Sequence, residues 1–309
     1  MAHQSAALLT RIIASSVSVT VQAGKIIRDV LSRGGLNIVE KGKNDLQTEA
    51  DRCAQQCIIA SLSHQFPNIR IIGEEELSCY EVSPEWIITE ADQEVLQLKL
   101  PTQLENINLK DICVWVDPLD GTAEFTQGLV EHVTVLIGVA IGKRAVGGVI
   151  HQPYYKNETG MYVENGRTLW GIDGAGFGGF VPKSPPDGKK IITTTRSHSD
   201  STVQNAIKSL NPDEVICVGG AGYKVILLLE GKAHAYVFAS SGCKKWDTCA
   251  PEAILHAIGG SLTDFHGKRY SYNPEIIYRN TRGVLATAPS QSHQWYLSHI
   301  PDEVKQKLQ

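Results

Sequence analysis

Nowhere do the 309 residues approach the run of about 18 consecutive apolar side chains that a membrane-spanning helix needs, and the amino terminus lacks a basic stretch leading into an apolar one. Neither a bilayer anchor nor a secretory leader is expected, the final Lys305-Gln-Lys-Leu-Gln309 carries no retention signal, and the expected location is cytoplasmic. A Cys-x-x-Cys pair is missing too. The seven cysteines are odd in number and scattered, which speaks against a disulfide framework and a thiolate zinc site and suits a reducing compartment. Charge of one sign is also lacking: 29 Lys and Arg against 33 Asp and Glu leave a net −4. Nucleic-acid polymers and membrane surfaces are therefore poor candidate partners, and nothing marks an obligate protein partner. Any recognition of phosphate has to come from local groups.

What is present is an ordinary globular composition, 42% hydrophobic and 20% charged, at a length that suggests about two domains. Leu8, Ile12, Val19, Ala23, Ile27 and Val30 recur at helical spacing until Gly34-Gly35, which predicts a long first helix. A second helix is predicted from about Asp45 to Phe66, carrying Asp51. Residues 77–110 read as a weakly patterned insertion without chemistry. Val133–Ala140 and Ala145–Ile150 read as a hairpin turning at Gly142-Lys143, and Thr159–Val163 with Thr168–Ile172 as another. From Ile191 onward, strands and helices alternate. The expectation is an α+β first half, residues 1–185, of helices on an antiparallel sheet. The Pro- and Gly-rich stretch Pro182–Gly188 joins it to a smaller α/β half, residues 186–309. Gly174-Ala-Gly176-Phe-Gly178-Gly179 spells a dinucleotide-binding loop, but Pro182, Pro185 and Pro186 follow where a helix would have to begin, so it reads as a plain loop.

The chemistry concentrates in Ile112-Cys-Val-Trp-Val-Asp117-Pro-Leu-Asp120-Gly-Thr122, an apolar strand that runs into two carboxylates and a hydroxyl. Asp-Pro-x-Asp-Gly-Thr is also good turn chemistry, since Asp caps, Pro presets φ and Gly accepts positive φ. Two further segments favour the metal reading over the bare turn. Ile69–Gly73 reads as a strand ending in Glu74-Glu75-Glu76, and Asp247 opens an apolar helical pattern after Trp246. Carboxylates brought together in a partly buried site need a cation or a proton to compensate them, and hard oxygen donors suit magnesium better than zinc.

Gly73-Glu74-Glu75, Asp117-Pro-Leu-Asp120-Gly-Thr122 and Trp246-Asp247-Thr-Cys-Ala250 followed by Gly259-Gly260 come in the order and at the distances of one family. Over nearly its whole length the chain resembles the magnesium-dependent, lithium-sensitive phosphatases that include the inositol monophosphatases. Glu124-Phe125 after the Asp-Gly-Thr, Thr193-Thr-Thr-Arg-Ser-His198 and Trp246-Asp-Thr-Cys-Ala-Pro251-Glu252 are similar to the 3'(2'),5'-bisphosphate nucleotidase branch, with a close likeness to its cytosolic animal members. The resemblance implies a layered αβαβα sugar-phosphatase fold. It implies two or more Mg2+ ions, one held by Glu74, Asp117 and the Leu119 carbonyl and a second by Asp117, Asp120 and Asp247.

It further implies that Thr122 orients the attacking water and that Asp51 takes the proton. On its own Asp51 reads as an exposed helix residue, but Lys43-Asn-Asp45-Leu-Gln-Thr48-Glu-Ala-Asp51 is similar to the family's Asp-x-x-Thr-x-x-Asp run. Nucleotide contacts are implied for Thr195, His198, Gly220 and Lys224. Each has a plainer alternative: Thr195 as the end of a strand, Ser197-His198-Ser199-Asp200 as the cap of the next helix, Gly220 as a turn residue and Lys224 as a solvated charge. Backbone N–H groups of Gly219-Gly-Ala-Gly222, ahead of a helix, are placed to cradle a phosphate. The implied activity is removal of the 3'-phosphate from adenosine 3',5'-bisphosphate, with action on 2',5'-bisphosphates and on 3'-phosphoadenylyl sulfate. The alternatives are a 1-phosphatase acting on inositol 1,4-bisphosphate and, in another class, a non-catalytic nucleotide sensor or scaffold.

Overall fold

The computed structural model describes residues 6–42, 45–76, 82–275 and 277–308. Helix α1 (Leu8–Arg33) ends at Gly34, as the periodicity predicts. Helix α2 (Glu49–Gln65) begins four residues later than expected. Thr48 caps it, with Asp51 accepting the Thr48 backbone N–H, and the residues before it pair instead as a hairpin of β1 (Val39–Gly42) and β2 (Asp45–Gln47). The cap stops the helix from extending backward because Thr48 has to be extended for its side chain to reach the first turn.

A six-stranded sheet runs in the order β3-β4-β5-β6-β7-β8, formed by β3 (Arg70–Gly73), β4 (Ile112–Asp120), β5 (Thr134–Ile141), β6 (Arg144–Gln152), β7 (Arg167–Ile172) and β8 (Gly176–Gly178). It is antiparallel except for the β3–β4 pair, which is parallel and brings Glu74 alongside the end of β4. Side chains alternate cleanly. Val114 and Val116 face a core shared with α1 and α2, while Cys113 and Trp115 face the second core. Residues 91–104 are not idle: Ala91, Val95, Leu100 and Leu104 are buried against the α1–α2 side.

Two expectations about this sheet need correction. Residues 159–163 form no strand, because the Asn157 side-chain oxygen accepts from the amide of Thr159, its hydroxyl and the amide of Met161, which captures the backbone in a turn and leaves Met161 and Tyr162 exposed. Strand β7 pairs with β6 on one side and on the other with β8, drawn from the glycine-rich stretch read as a loop, where a Cβ on Gly178 would stand 2.5 Å from the Trp170 ring.

A five-stranded sheet follows in the order β10-β9-β11-β13-β12, from β9 (Ile191–Thr195), β10 (Glu214–Val218), β11 (Ala235–Phe238), β12 (Ser261–Thr263) and β13 (Val284–Thr287). The first three strands are parallel and the last two antiparallel. Helices α7 (Ala221–Leu229) and α8 (Lys245–Ala257) lie between the two sheets, and α6 (Ser201–Ser209) with the terminal α10 (Asp302–Lys307) packs outside the second. With the short α3 (Gln93–Leu96), α4 (Thr102–Glu105), α5 (Thr122–Thr126) and α9 (His293–His299), this completes the αβαβα layering.

Helix α8 reaches unusually far into the six-stranded sheet. Gly138, Gly148 and Gly171 are register partners on three adjacent strands, and a Cβ on Gly138 would stand 2.6 Å from the Ala250 amide, one on Gly148 2.4 Å from the Ala250 carbonyl. The glycine row is the groove that lets the helix approach, and that approach sets the height of Asp247 above β4.

Candidate active site

Glu74, Asp117, Leu119, Asp120, Thr122, Thr195, His198, Gly220, Lys224 and Asp247 line a single cavity of about 290 Å³ between the sheets. Asp51, the remaining candidate, sits behind it and accepts a hydrogen bond of 3.0 Å from the Thr122 hydroxyl. Every sequence candidate therefore meets at one place.

Each carboxylate arrives by a different route. Glu74 follows the parallel strand β3, its backbone N–H bonded to the Val116 carbonyl. Asp117 and Asp120 end β4, where the pairing with β5 slips between them. Asp247 lies in the first turn of α8 and accepts from the Lys244 amide at 2.7 Å. Gly121, at φ 95°, turns the chain so that Thr122 starts α5 with its hydroxyl 3.0 Å from the Leu119 carbonyl.

Burial raises Asp117 well above the ordinary carboxylate range, and the charges of Glu74, Asp120 and Asp247 push it further. Burial likewise raises Asp247 to about 7, with Glu74 and Asp120 adding to the rise. Asp120 is raised by burial, against the pull of Thr134, Lys224 and two backbone amides. These groups cannot all be ionised together unless positive charge enters the cavity.

Among the described residues no three His, Cys, Asp or Glu side chains are disposed as a finished metal shell. The carboxylates stand instead in mutual contact, Asp117 against Asp247. The donor chemistry nonetheless fits a hard divalent cation. Carboxylates and the Leu119 carbonyl offer oxygen, and the one cavity thiol, Cys243, is pushed up by burial and so kept protonated. Burial likewise raises the Cys249 thiol on the same helix as Asp247.

The helix N-terminus behaves differently from the phosphate cradle expected of it. Ala221 and Gly222 donate their N–H groups to Asp120, at 2.7 and 2.8 Å, and the Thr134 hydroxyl joins them at 2.6 Å. The positive end of α7 thus stabilises a protein carboxylate. Lys224 is buried, not solvated: its ammonium bonds the Gly220 carbonyl at 2.9 Å and lies 5.4 Å from the Tyr236 ring centroid. Thr195 does end β9, and its hydroxyl accepts from the His198 amide at 3.1 Å. The segment Ser197-His198-Ser199-Asp200 does cap α6, through the Asp200 side chain, which accepts from the Val203 amide at 2.9 Å. Burial and the Lys224 charge lower the His198 imidazole, so it is neutral at physiological pH.

Sequence reasoning gave no role to several groups that build the walls. Glu124, buried and part of α5, is bonded by Arg196 at 3.0 Å, tying the first sheet to the second. Lys244 stands 3.5 Å from Glu74, and Lys41 on β1 pairs with Glu75 at 2.7 Å. Gln55 exchanges hydrogen bonds with the Glu75 backbone and fixes the acidic turn. Of these groups, Glu75, Glu124 and Arg196 stand in motifs that carry the resemblance, Gly73-Glu74-Glu75, Glu124-Phe125 and Thr193-Thr-Thr-Arg-Ser-His198.

The inositol monophosphatase family model matches residues 8–305. The chain belongs to the inositol monophosphatase family. Within that family it is 51% identical over 302 residues to 3'(2'),5'-bisphosphate nucleotidase 1 of Homo sapiens and to that of Mus musculus, with 97% of this chain and 97% of each relative covered. The Thermotoga maritima IMPase shares the fold at 19% identity, with a TM-score of 0.67 over 95% of this chain and 98% of its own. Among the described residues no helix is long and apolar enough to cross a membrane.

Proposed function

We propose that this chain is a cytoplasmic, magnesium-dependent phosphohydrolase that removes the 3'(2')-phosphate of adenosine 3'(2'),5'-bisphosphate, giving AMP and inorganic phosphate, and that it also acts on 3'-phosphoadenylyl sulfate. The observation that carries the reading is the 3.0 Å contact of Thr122 with Asp51 beside the carboxylate cavity, in a chain that matches the named nucleotidases along its length.

Glu74, Asp117, Asp120, Asp247 and the Leu119 carbonyl would hold two Mg2+ ions, with Asp117 shared between them. Such ions, when bound, neutralise phosphoryl and leaving-group oxygens and make water easier to deprotonate. The protein supplies the proton path. Thr122 donates to Asp51, so its lone pairs remain available to accept from a water molecule, and the proton passes through the hydroxyl to the carboxylate. Burial raises Asp51 to about 7, close to the value a general base needs near neutral pH.

On the nucleotide side, a neutral His198 suits a base edge or ribose hydroxyl better than a phosphate, and Thr195 presents a hydroxyl next to it. Gly220 lines the cavity, and its φ of 68° with a Cβ direction only 2.8 Å from the His132 carbonyl makes glycine the residue that fits there. Lys224 acts from below, compensating Asp120 and holding the Gly220 carbonyl.

The test is phosphate release from adenosine 3',5'-bisphosphate, 3'-AMP, inositol 1-phosphate and inositol 1,4-bisphosphate at matched magnesium. The nucleotide bisphosphate should give the highest kcat/KM. A preference for inositol 1,4-bisphosphate would transfer the chain to the 1-phosphatases, and no release from any of them would make it a binder.

A further inference from the structure

We propose that Arg279 reads the phosphate that is not cleaved, and so sets the preference for a bisphosphate over a monophosphate. This rests on the nucleotide reading given above. Four cations near the cavity are already committed within the protein: Lys41 to Glu75, Lys224 to the Gly220 carbonyl, Lys244 to Glu74, and Arg196 to Glu124 and Gln127. Arg279 lines the same cavity, is exposed, and makes no side-chain hydrogen bond or ion pair among the described residues. Among the described Lys and Arg residues that line the cavity, its charge is the one left for a ligand.

The guanidinium rises from a rigid base. The Lys245 amide bonds the Tyr278 carbonyl at 2.8 Å, the Asn280 amide bonds the Cys243 carbonyl at 2.8 Å, and Arg279 bridges to Lys244 between them. Tyr278 is wedged against Trp115 and Trp246 with ring centroids 5.4 and 5.6 Å away. The buried Asn280 side chain binds the Lys244 carbonyl and the Thr248 hydroxyl at 2.9 and 3.0 Å. The segment that presents Arg279 is thus fastened to the first turn of the helix that carries Asp247. A cation at a fixed offset from a carboxylate site can measure the separation of two phosphates, and a planar guanidinium can grip the second one with two parallel hydrogen bonds.

The experiment compares kcat/KM on adenosine 3',5'-bisphosphate and on 3'-AMP for the native enzyme, Arg279→Ala and Arg279→Lys, all with magnesium. The ratio between the two substrates should fall about tenfold or more in Arg279→Ala, the scale expected when a charged hydrogen-bond partner is lost. The fall should lie mainly in KM, and Arg279→Lys should recover part of the ratio. Equal losses on both substrates would reduce Arg279 to a general electrostatic rim, and unchanged kinetics would remove it from recognition. Either result overturns the inference. Failure of the nucleotide reading itself would be visible separately, as a native enzyme that prefers inositol 1,4-bisphosphate.

Discussion

Replacing Asp51 with Asn removes a proton acceptor while keeping the side chain's shape. Oδ2 of Asp51 accepts from the Thr48 amide at 2.8 Å and the Thr48 hydroxyl at 2.5 Å, and Oδ1 receives the Thr122 hydroxyl at 3.0 Å. The two Thr48 donors will orient a carboxamide with its oxygen toward them and its NH2 toward Thr122. Thr122 then faces a donor where it had an acceptor, and its own proton turns to the Leu119 carbonyl, 3.0 Å away. Losing a positioned general base costs about 10²–10⁴ in kcat. KM should change little, because Asp51 lies behind the cavity. Stability should hold or improve. A carboxyl raised from 3.8 to about 7 by burial contributes stability that is present below its unfolded value and lost as pH rises toward about 7, and Asn escapes that loss. The Tm of the variant should therefore gain on that of the native protein as pH rises from about 4 to about 7, and keep that gain above it. In the native enzyme, kcat should rise with pH along an acid limb at about 7 or below, moving lower as magnesium fills the site, and the Asn variant should lack that limb. Steady-state phosphate release across pH, with melting curves on the same samples, measures all of this. A kcat loss below tenfold, or a limb that survives the substitution, would refute the proton path.

Thr122→Ala should lower kcat comparably, and the Thr122→Ala, Asp51→Asn double variant should match the worse single one, because the two act as one unit. Losses that multiply would separate them. Asp117→Asn should abolish turnover yet raise Tm in the presence of chelator, since it relieves the repulsion with Asp247, and it should shrink the Tm increase that magnesium gives; retained activity would remove Asp117 from the metal site. Gly138→Ala would bring a methyl group to 2.5 Å from the Cys249 Cβ and 2.6 Å from the Ala250 amide, so it should cost about 1–3 kcal/mol and lower kcat by lifting Asp247. An unchanged Tm would mean that the glycine row does not set the helix height.

The carboxylate cluster was legible because its residues end strands or open a helix, positions that apolar runs, Pro118 and the helical pattern after Trp246 announce directly. Asp51 was recognisable only because Asp45-Leu-Gln-Thr48-Glu-Ala-Asp51 resembles the family's run, and the structure gives that run a second meaning: Thr48 and Asp51 cap α2 with the same groups that hold the candidate proton acceptor in place. Other features rest on distant partners that local pattern does not encode. Nothing near Gly138 says that Ala250 will come to rest on it. The turn after Asn157 defeated a strand reading because a side-chain oxygen competed with the sheet for the same amides. The amides before Lys224 looked free for phosphate because their partner, Asp120, lies about a hundred residues away in sequence.

Which phosphate leaves, and on what condition, is the most direct test of the whole account. Adenosine 3',5'-bisphosphate incubated with the enzyme and magnesium, and followed by phosphorus NMR, should lose its 3'-phosphate resonance while the 5'-phosphate persists in AMP. The reaction should stop on addition of a chelator and resume with excess magnesium. Release of the 5'-phosphate, or turnover that continues undiminished in chelator, would contradict it.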